Sequence, residues 1–184
     1  FSFNMIKIGN RKIGHKLKPL IICELGINHQ GSFKIAKKMV DLAYRNGAEA
    51  IKNQCHILDE EMIDEAKKVV PTNANKSIYS VIEQNLMSLE NEKKLKKYVE
   101  KKNMIYLSTP FSLKAAKKLN SIGIKAFKIG SGECNNIPLL EEIVKFKKPI
   151  ILSTGMNDLK SISDSVKIFE KAKIKYALLH CKSE

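Results

Sequence analysis

Short, nearly continuous apolar runs alternate along this chain with longer stretches in which apolar residues recur every three or four positions. The runs at residues 20–25, 48–54, 104–108, 126–130, 149–153 and 176–181 have the length and character of strands buried on both faces. Between them, helical spacing predicts helices over 32–46, 88–102, 112–121, 137–146 and 158–172. Ser32 suits the cap of the first helix, and Gly47 and Gly123 stand where helices stop. Residues 56–80 break the rhythm, with a helical turn expected near 60–69 and an interruption at Pro71-Thr72-Asn73. Ahead of the first long strand, 5–8 and 12–13 flank Gly9-Asn10-Arg11, the pattern of a hairpin.

Alternating strand and helix signals specify a parallel α/β sheet covered by helices. A doubly wound open sheet and a (β/α)8 TIM barrel share that order. No GxGxxG follows the first strand, so a dinucleotide-binding doubly wound sheet lacks its signature. Nearly every strand instead ends in polar residues, as at Glu24, Lys52-Asn53-Gln54, Ser108-Thr109, Lys128 to Glu133 and Ser153-Thr154. A barrel gathers all its strand ends on one catalytic rim, so it is the architecture expected here. About six βα units are legible where a closed barrel has eight, so the barrel is expected to be incomplete. The domain reading is a hairpin over 1–19 and a partial barrel over 20–184.

Composition narrows the function classes. A chain of 184 residues that is 43% hydrophobic can bury one real core. No apolar run approaches the roughly 18 residues of a membrane span, and residues 1–5 lack the regions of a secretion signal. Cys23, Cys55, Cys134 and Cys181 are scattered without CxxC spacing, which fits reduced thiols in a cytoplasmic protein rather than zinc or disulfides. The net charge of +14 raises nucleic-acid binding. Its lysines, however, crowd into helical segments such as Lys93-Lys94-Leu95-Lys96-Lys97, where they form solvated faces. Arginine occurs at Arg11 and Arg45 alone, and no nucleic-acid-binding motif is present, so neither nucleic acid nor membrane is an expected partner.

Lys52 and Lys128 interrupt otherwise apolar strands, and a buried ammonium is costly unless it meets an anion. With the hydroxyls of Thr109, Ser131 and Ser153 and the Gly130-Ser131-Gly132 backbone, they would cradle a phosphate or carboxylate. The alternative is that each lysine snorkels outward or pairs with Glu24 or Glu133, and a Schiff-base role stays open. Glu24 and Glu133 could act as catalytic acid or base, grip a sugar hydroxyl, or orient the lysines; spacing does not choose. His29, His56 and His180 fall near strand ends without metal-ligand spacing, and the cysteines suit small core positions.

The motifs Glu24-Leu25-Gly26-Ile27-Asn28-His29, Ile51-Lys52-Asn53-Gln54, Ser108-Thr109-Pro110-Phe111 and Lys128-Ile129-Gly130-Ser131-Gly132-Glu133 stand in this order. Ile151-Leu152-Ser153-Thr154-Gly155-Met156 and Leu178-Leu179-His180-Cys181 follow. Together they resemble the sialic acid synthase family, the bacterial enzymes that make N-acetylneuraminate and related nonulosonic acids. The resemblance implies a reaction that spacing does not. The methylene carbon of phosphoenolpyruvate attacks the aldehyde of an open-chain N-acetylated hexosamine such as N-acetylmannosamine. A divalent metal, typically manganese, polarises that aldehyde, water adds at the enol-ether carbon, and phosphate leaves by C–O cleavage. On the same basis Lys52, Thr109, Lys128, Ser131 and Ser153 hold phosphoenolpyruvate, with Ser183 at a further position where relatives often carry Asn. Glu24 acts beside the reacting carbons, and Gln54, Asn73 and Glu133 contact the sugar.

The family's two metal-binding histidines come from the last part of the barrel. An arginine reaches the site from the C-terminal antifreeze-like domain of the partner in a swapped homodimer. Both lie outside these residues, so the resemblance implies no metal ligands here and no synthase activity from the 184 residues alone. Cys55 stands where threonine is common, and Asn53 where relatives vary. Legionaminic and pseudaminic acid synthases share the motif set, which leaves the acceptor sugar open. The rival reading is a non-catalytic remnant that binds phosphoenolpyruvate or a partner chain.

Overall fold

The structure is a computed structural model and describes residues 5–72 and 75–181. Strands β1 (Ile6–Ile8) and β2 (Arg11–Ile13) pair antiparallel as the expected hairpin. Six parallel strands follow: β3 (Ile22–Gly26), β4 (Ala50–Cys55), β5 (Ile105–Pro110), β6 (Phe127–Ile129), β7 (Ile150–Ser153) and β8 (Tyr176–Leu179). They lie side by side in chain order. A doubly wound sheet reverses its winding partway and leaves its first strand in the interior. Here the winding never reverses, so the sheet is part of a (β/α)8 barrel.

Helices α1 (Phe33–Arg45), α2 (Leu58–Glu61), α3 (Ile78–Gln84), α4 (Leu89–Lys101), α5 (Leu113–Ser121), α6 (Ile137–Lys145) and α7 (Leu159–Lys171) make the crossovers. Their starts are written in side chains. Ser32, Ser77, Ser88, Ser112, Asn136 and Asp158 each accept a hydrogen bond from the backbone N–H three residues on. The single turn expected near 60–69 is instead α2 followed by a 3-10 turn at Asp64–Lys67. Helix α3 was not legible, because seven residues give too few repeats for a helical period to show. Among the described residues no helix is long and apolar enough to cross a membrane.

Strand alternation splits the core into two layers. Outward side chains such as Ile51, Tyr106, Phe127 and Leu152 pack against Val40, Leu95 and Leu119 of the helices. Inward, Ala50, Leu107, Ala126 and Ile151 gather around Ile6 and Ile8 of the hairpin. The hairpin therefore plugs the N-terminal end of the barrel, fixed there by Arg11, whose Nε donates to Glu49 Oε2 at 2.7 Å. The plug leaves the C-terminal strand ends to carry chemistry.

Candidate active site at the strand ends

The inward residues Ala50, Leu107, Ala126 and Ile151 are each followed two positions later by Lys52, Thr109, Lys128 and Ser153. A period of two keeps these on the same face, so an apolar floor gives way to a polar ring one layer higher. All four are buried. Parallel register sets Glu24 opposite Lys52, and Glu24 Oε1 lies 3.0 Å from Lys52 Nζ. Glu24 sits on the outermost strand and stays mostly exposed.

Lys128 Nζ donates to Ser153 Oγ at 2.5 Å and to the Ile129 carbonyl at 2.9 Å. Cys181 Sγ lies 3.6 Å from the same Ser153 oxygen. Desolvation, followed by the neighbouring charge of Lys52, lowers the Lys128 ammonium to about 8. Two buried ammonium groups thus lie within each other's field, and the exposed carboxylate of Glu24 pairs with Lys52. Beside them the buried Thr109 Oγ1 has no hydrogen-bond partner among the described residues. A buried hydroxyl without a partner is unfavourable, and an anion with several oxygens supplies both the missing charge and the missing acceptor.

The structure therefore brings Glu24, Lys52, Thr109, Lys128 and Ser153 together. Gln54 occupies the next inward position above Lys52, in register with Thr109. Ser131 and Glu133 form a short 3-10 turn after β6, where Glu133 Oε2 accepts from Asn136 Nδ2 at 2.6 Å. Among the described residues no ion pair or hydrogen bond joins Glu133 or Ser131 to a lysine; Lys52 pairs with Glu24 and Lys128 with Ser153. Asn73 and Ser183 lie outside the described residues.

A second cluster lies behind β4 and β5 and was missed by sequence reasoning. Glu92 of α4 is 1% exposed and accepts at Oε1 from Ser108 Oγ at 2.7 Å and from Tyr106 Oη at 3.0 Å. Desolvation pushes its carboxyl above the usual range despite those two donors. Asn53 stands opposite Ser108 in the parallel register, and its Oδ1 lies 3.0 Å from His29 Nε2. The Gly31 N–H donates to His29 Nδ1 at 3.1 Å, which places the ring hydrogen on Nε2 as donor to Asn53. Gly31 has φ +69°, and a Cβ there would lie 2.6 Å from the Leu86 carbonyl oxygen, so this turn requires glycine. His29 is thus a strut that ties the loop after Glu24 to β4, with burial lowering its basicity. The available signal was Glu92 itself, on the buried helical stripe it shares with Leu95 and Val99.

His56 is held separately, with Nδ1 2.8 Å from Glu61 Oε1 and Nε2 3.1 Å from Gln54 Oε1. Among the described residues no three His, Cys, Asp or Glu side chains gather as a metal-binding set. The cysteines are free thiols, and burial pushes the Cys55 thiol up.

The NeuB family model matches residues 39–184. The chain is 38% identical to the N,N'-diacetyllegionaminic acid synthase of Campylobacter jejuni over 174 residues, which is 91% of this chain and 52% of that protein. It is 27% identical to human N-acetylneuraminate-9-phosphate synthase over 176 residues, 94% of this chain and 49% of the human one. The chain spans about half the length of these curated relatives. The crystal structure of a sialic acid synthetase from Leptospira borgpetersenii in complex with citrate matches with a TM-score of 0.86 at 32% identity. That match covers 99% of this chain and 60% of the other. A 3-deoxy-D-arabino-heptulosonate 7-phosphate synthase from Thermotoga maritima, at 15% identity and a TM-score of 0.69, shares the fold alone. With a family model that runs from within α1 to the last residue and a fold that matches a sialic acid synthetase over 99% of its length, the chain belongs to the NeuB family.

Proposed function

We propose that this chain carries the phosphoenolpyruvate-binding part of a nonulosonic acid synthase, which joins phosphoenolpyruvate to an N-acylated hexosamine and releases phosphate. The observation that supports it most is the pair of buried lysines, Lys52 and Lys128, beside the unpartnered Thr109 hydroxyl. Phosphoenolpyruvate carries a phosphate and a carboxylate on the same carbon, and two ammonium groups one strand apart from Thr109 on either side match that charge pattern. Lys128 donates to the Ser153 oxygen, which frees the Ser153 hydroxyl hydrogen for the anion. A bound anion also restores the full charge of Lys128 by raising its lowered basicity.

Glu24 is the carboxylate at the mouth of this site and would take a proton from the water that adds to the enol-ether carbon. Gln54, Glu133 and Asn73 would face the sugar, and Ser131 and Ser183 would complete the anion contacts. A divalent metal such as manganese belongs to this reading, as does a homodimer. Among the described residues no donor set for the ion is gathered.

The acceptor is N-acetylmannosamine or a diacetamido hexose. Identity of 38% with a legionaminic acid synthase against 28% with a pseudaminic acid synthase favours the legionaminic precursor among the diacetamido sugars. The test is phosphate release by the protein in its natural length, supplied with phosphoenolpyruvate, manganese and each sugar in turn. Release that depends on one sugar is the expected result. Binding of phosphoenolpyruvate without sugar-dependent release would leave a binding protein, and no binding of phosphoenolpyruvate would overturn the proposal.

A further inference from the structure

Asn157 stands in the loop between β7, which ends at Ser153, and α7, and its side-chain amide reaches across to the turn after β6. Nδ2 donates to the Ser131 carbonyl at 2.8 Å and to the Gly155 carbonyl at 2.7 Å. Both partners are backbone carbonyl oxygens, which can only accept, so these contacts fix the orientation of the amide. The Asn157 backbone N–H also donates to the Thr154 carbonyl at 3.3 Å. Thr154 is tied in turn to the Leu179 carbonyl, by its N–H at 3.1 Å and its hydroxyl at 2.9 Å. The amide thereby closes a brace from the turn after β6, through the loop after β7, to the end of β8.

The brace holds conformations that the chain does not favour locally. Met156, beside Asn157, has φ +63° and is 76% exposed. A methionine in the left-handed region is strained, and so exposed a side chain gains little packing to offset that cost. The 3-10 turn Ser131–Glu133 has only three residues, too few to hold itself by its own hydrogen bonds. The unit formed by β7, its loop and α7 anchors this turn on both sides. Asn157 takes the Ser131 carbonyl, and the buried Ser165 hydroxyl of α7 donates to the Cys134 carbonyl. Within the strands, Lys128 joins β6 to β7 through Ser153. Ser131 and Ser153 are thus carried by neighbouring units fastened to each other at three points.

We propose that Asn157 is a positioning residue of the anion site: its amide sets the turn that carries Ser131 against the loop that follows Ser153, so that both hydroxyls meet one anion at a fixed spacing. This rests on the anion contact given to Ser131 above. Asn157 acts through Ser131, since both hydrogens of its amide are used on backbone carbonyls. Its contribution is preorganisation: a turn free to shift would have to be ordered at the moment the anion binds, at a cost in affinity.

The experiment uses the natural-length protein and measures Kd for phosphoenolpyruvate by titration calorimetry, with thermal melts alongside. The variants are Ser131→Ala, Asn157→Ala, Asn157→Ser and the Ser131→Ala/Asn157→Ala double variant. Loss of one hydrogen bond to the anion corresponds to a rise of about tenfold in Kd. That rise is expected in Ser131→Ala and in Asn157→Ala. The double variant is expected to match Ser131→Ala alone, since Asn157 acts through Ser131. Asn157→Ser keeps a single donor hydrogen and is expected to fall between Asn157→Ala and the native protein. It carries the same comparison where Asn157→Ala melts too early to titrate. If Ser131→Ala leaves Kd unchanged, the anion contact of Ser131 itself fails. If Ser131→Ala raises Kd while the Asn157 variants only melt lower, that contact stands and the positioning role is overturned. A double variant whose Kd rises by the product of the two single effects overturns it as well.

Discussion

Glu92 Oε1 accepts a hydrogen bond from Ser108 Oγ at 2.7 Å, on the face of β5 opposite to the one that carries Thr109. In a barrel the helix-facing row of a strand is ordinarily apolar, yet here Asn53 and Ser108 fill it side by side. Glu92, Ser108 and Tyr106 satisfy one another, while Asn53 Nδ2 is left buried without a partner among the described residues. Glu92→Leu strips the acceptor from Tyr106 and Ser108 and is expected to cost about 2–4 kcal/mol, whereas Glu92→Gln keeps an acceptor oxygen and costs less.

The pH dependence separates these effects. Burial raises the Glu92 carboxyl above its unfolded value, so the folded state prefers it protonated. Its favourable contribution is complete below the unfolded value, about 4.3, and is lost as pH rises through the raised folded one. Urea unfolding across that range should therefore show Glu92→Gln gaining on the native chain as pH rises. A constant difference between the two would show that Glu92 does not titrate in this window.

Lys128 poses the opposite balance between stability and binding. Its folded value of about 8 lies below the 10.5 of a free lysine, so the unfolded chain holds more protons between the two. Stability should rise with pH through that window, and at pH 7 the buried charge costs on the order of 3 kcal/mol. Lys128→Met removes this cost along with the hydrogen bonds to Ser153 and Ile129. The expected net effect at pH 7 is a gain of about 1–2 kcal/mol in unfolding free energy. Phosphoenolpyruvate affinity should fall by at least about tenfold, measured by titration calorimetry. A variant that is both less stable and equally good at binding would remove Lys128 from the anion site.

Lys52 and Lys128 were legible because an ammonium inside an apolar strand contradicts its surroundings, and a sequence displays that contradiction directly. The parallel α/β character was legible for a similar reason, since continuous apolar runs alternate along the chain with stretches of helical period. The winding was legible only indirectly, through the polar residues at nearly every strand end that pointed to a barrel rim. Strand order depends on pairings such as Ile129 with Leu152, which local pattern cannot rank against a doubly wound alternative. His29 stood out as a strand-end histidine, but its meaning depends on Asn53, 24 residues away on another strand. Glu92 was hidden for a different reason: α4 is rich in charge, and one glutamate on its buried stripe looks like the rest until Tyr106 and Ser108 are seen against it.

Thr109 offers the sharpest separation of folding from binding. Its Oγ1 is buried without a partner among the described residues, so the hydroxyl is desolvated with no hydrogen bond to offset that cost. Valine has the same branched shape, and Thr109→Val is expected to leave stability unchanged or raise it by up to about 1 kcal/mol in thermal melts. If the same hydroxyl donates to the anion as proposed, the variant should lose about tenfold in affinity for phosphoenolpyruvate. The two measurements must move in opposite directions, or stability must hold while affinity falls. A Thr109→Val variant that melts lower and binds as well as the native chain would mean that the hydroxyl serves the fold, and that Lys52 and Lys128 hold their anion without it.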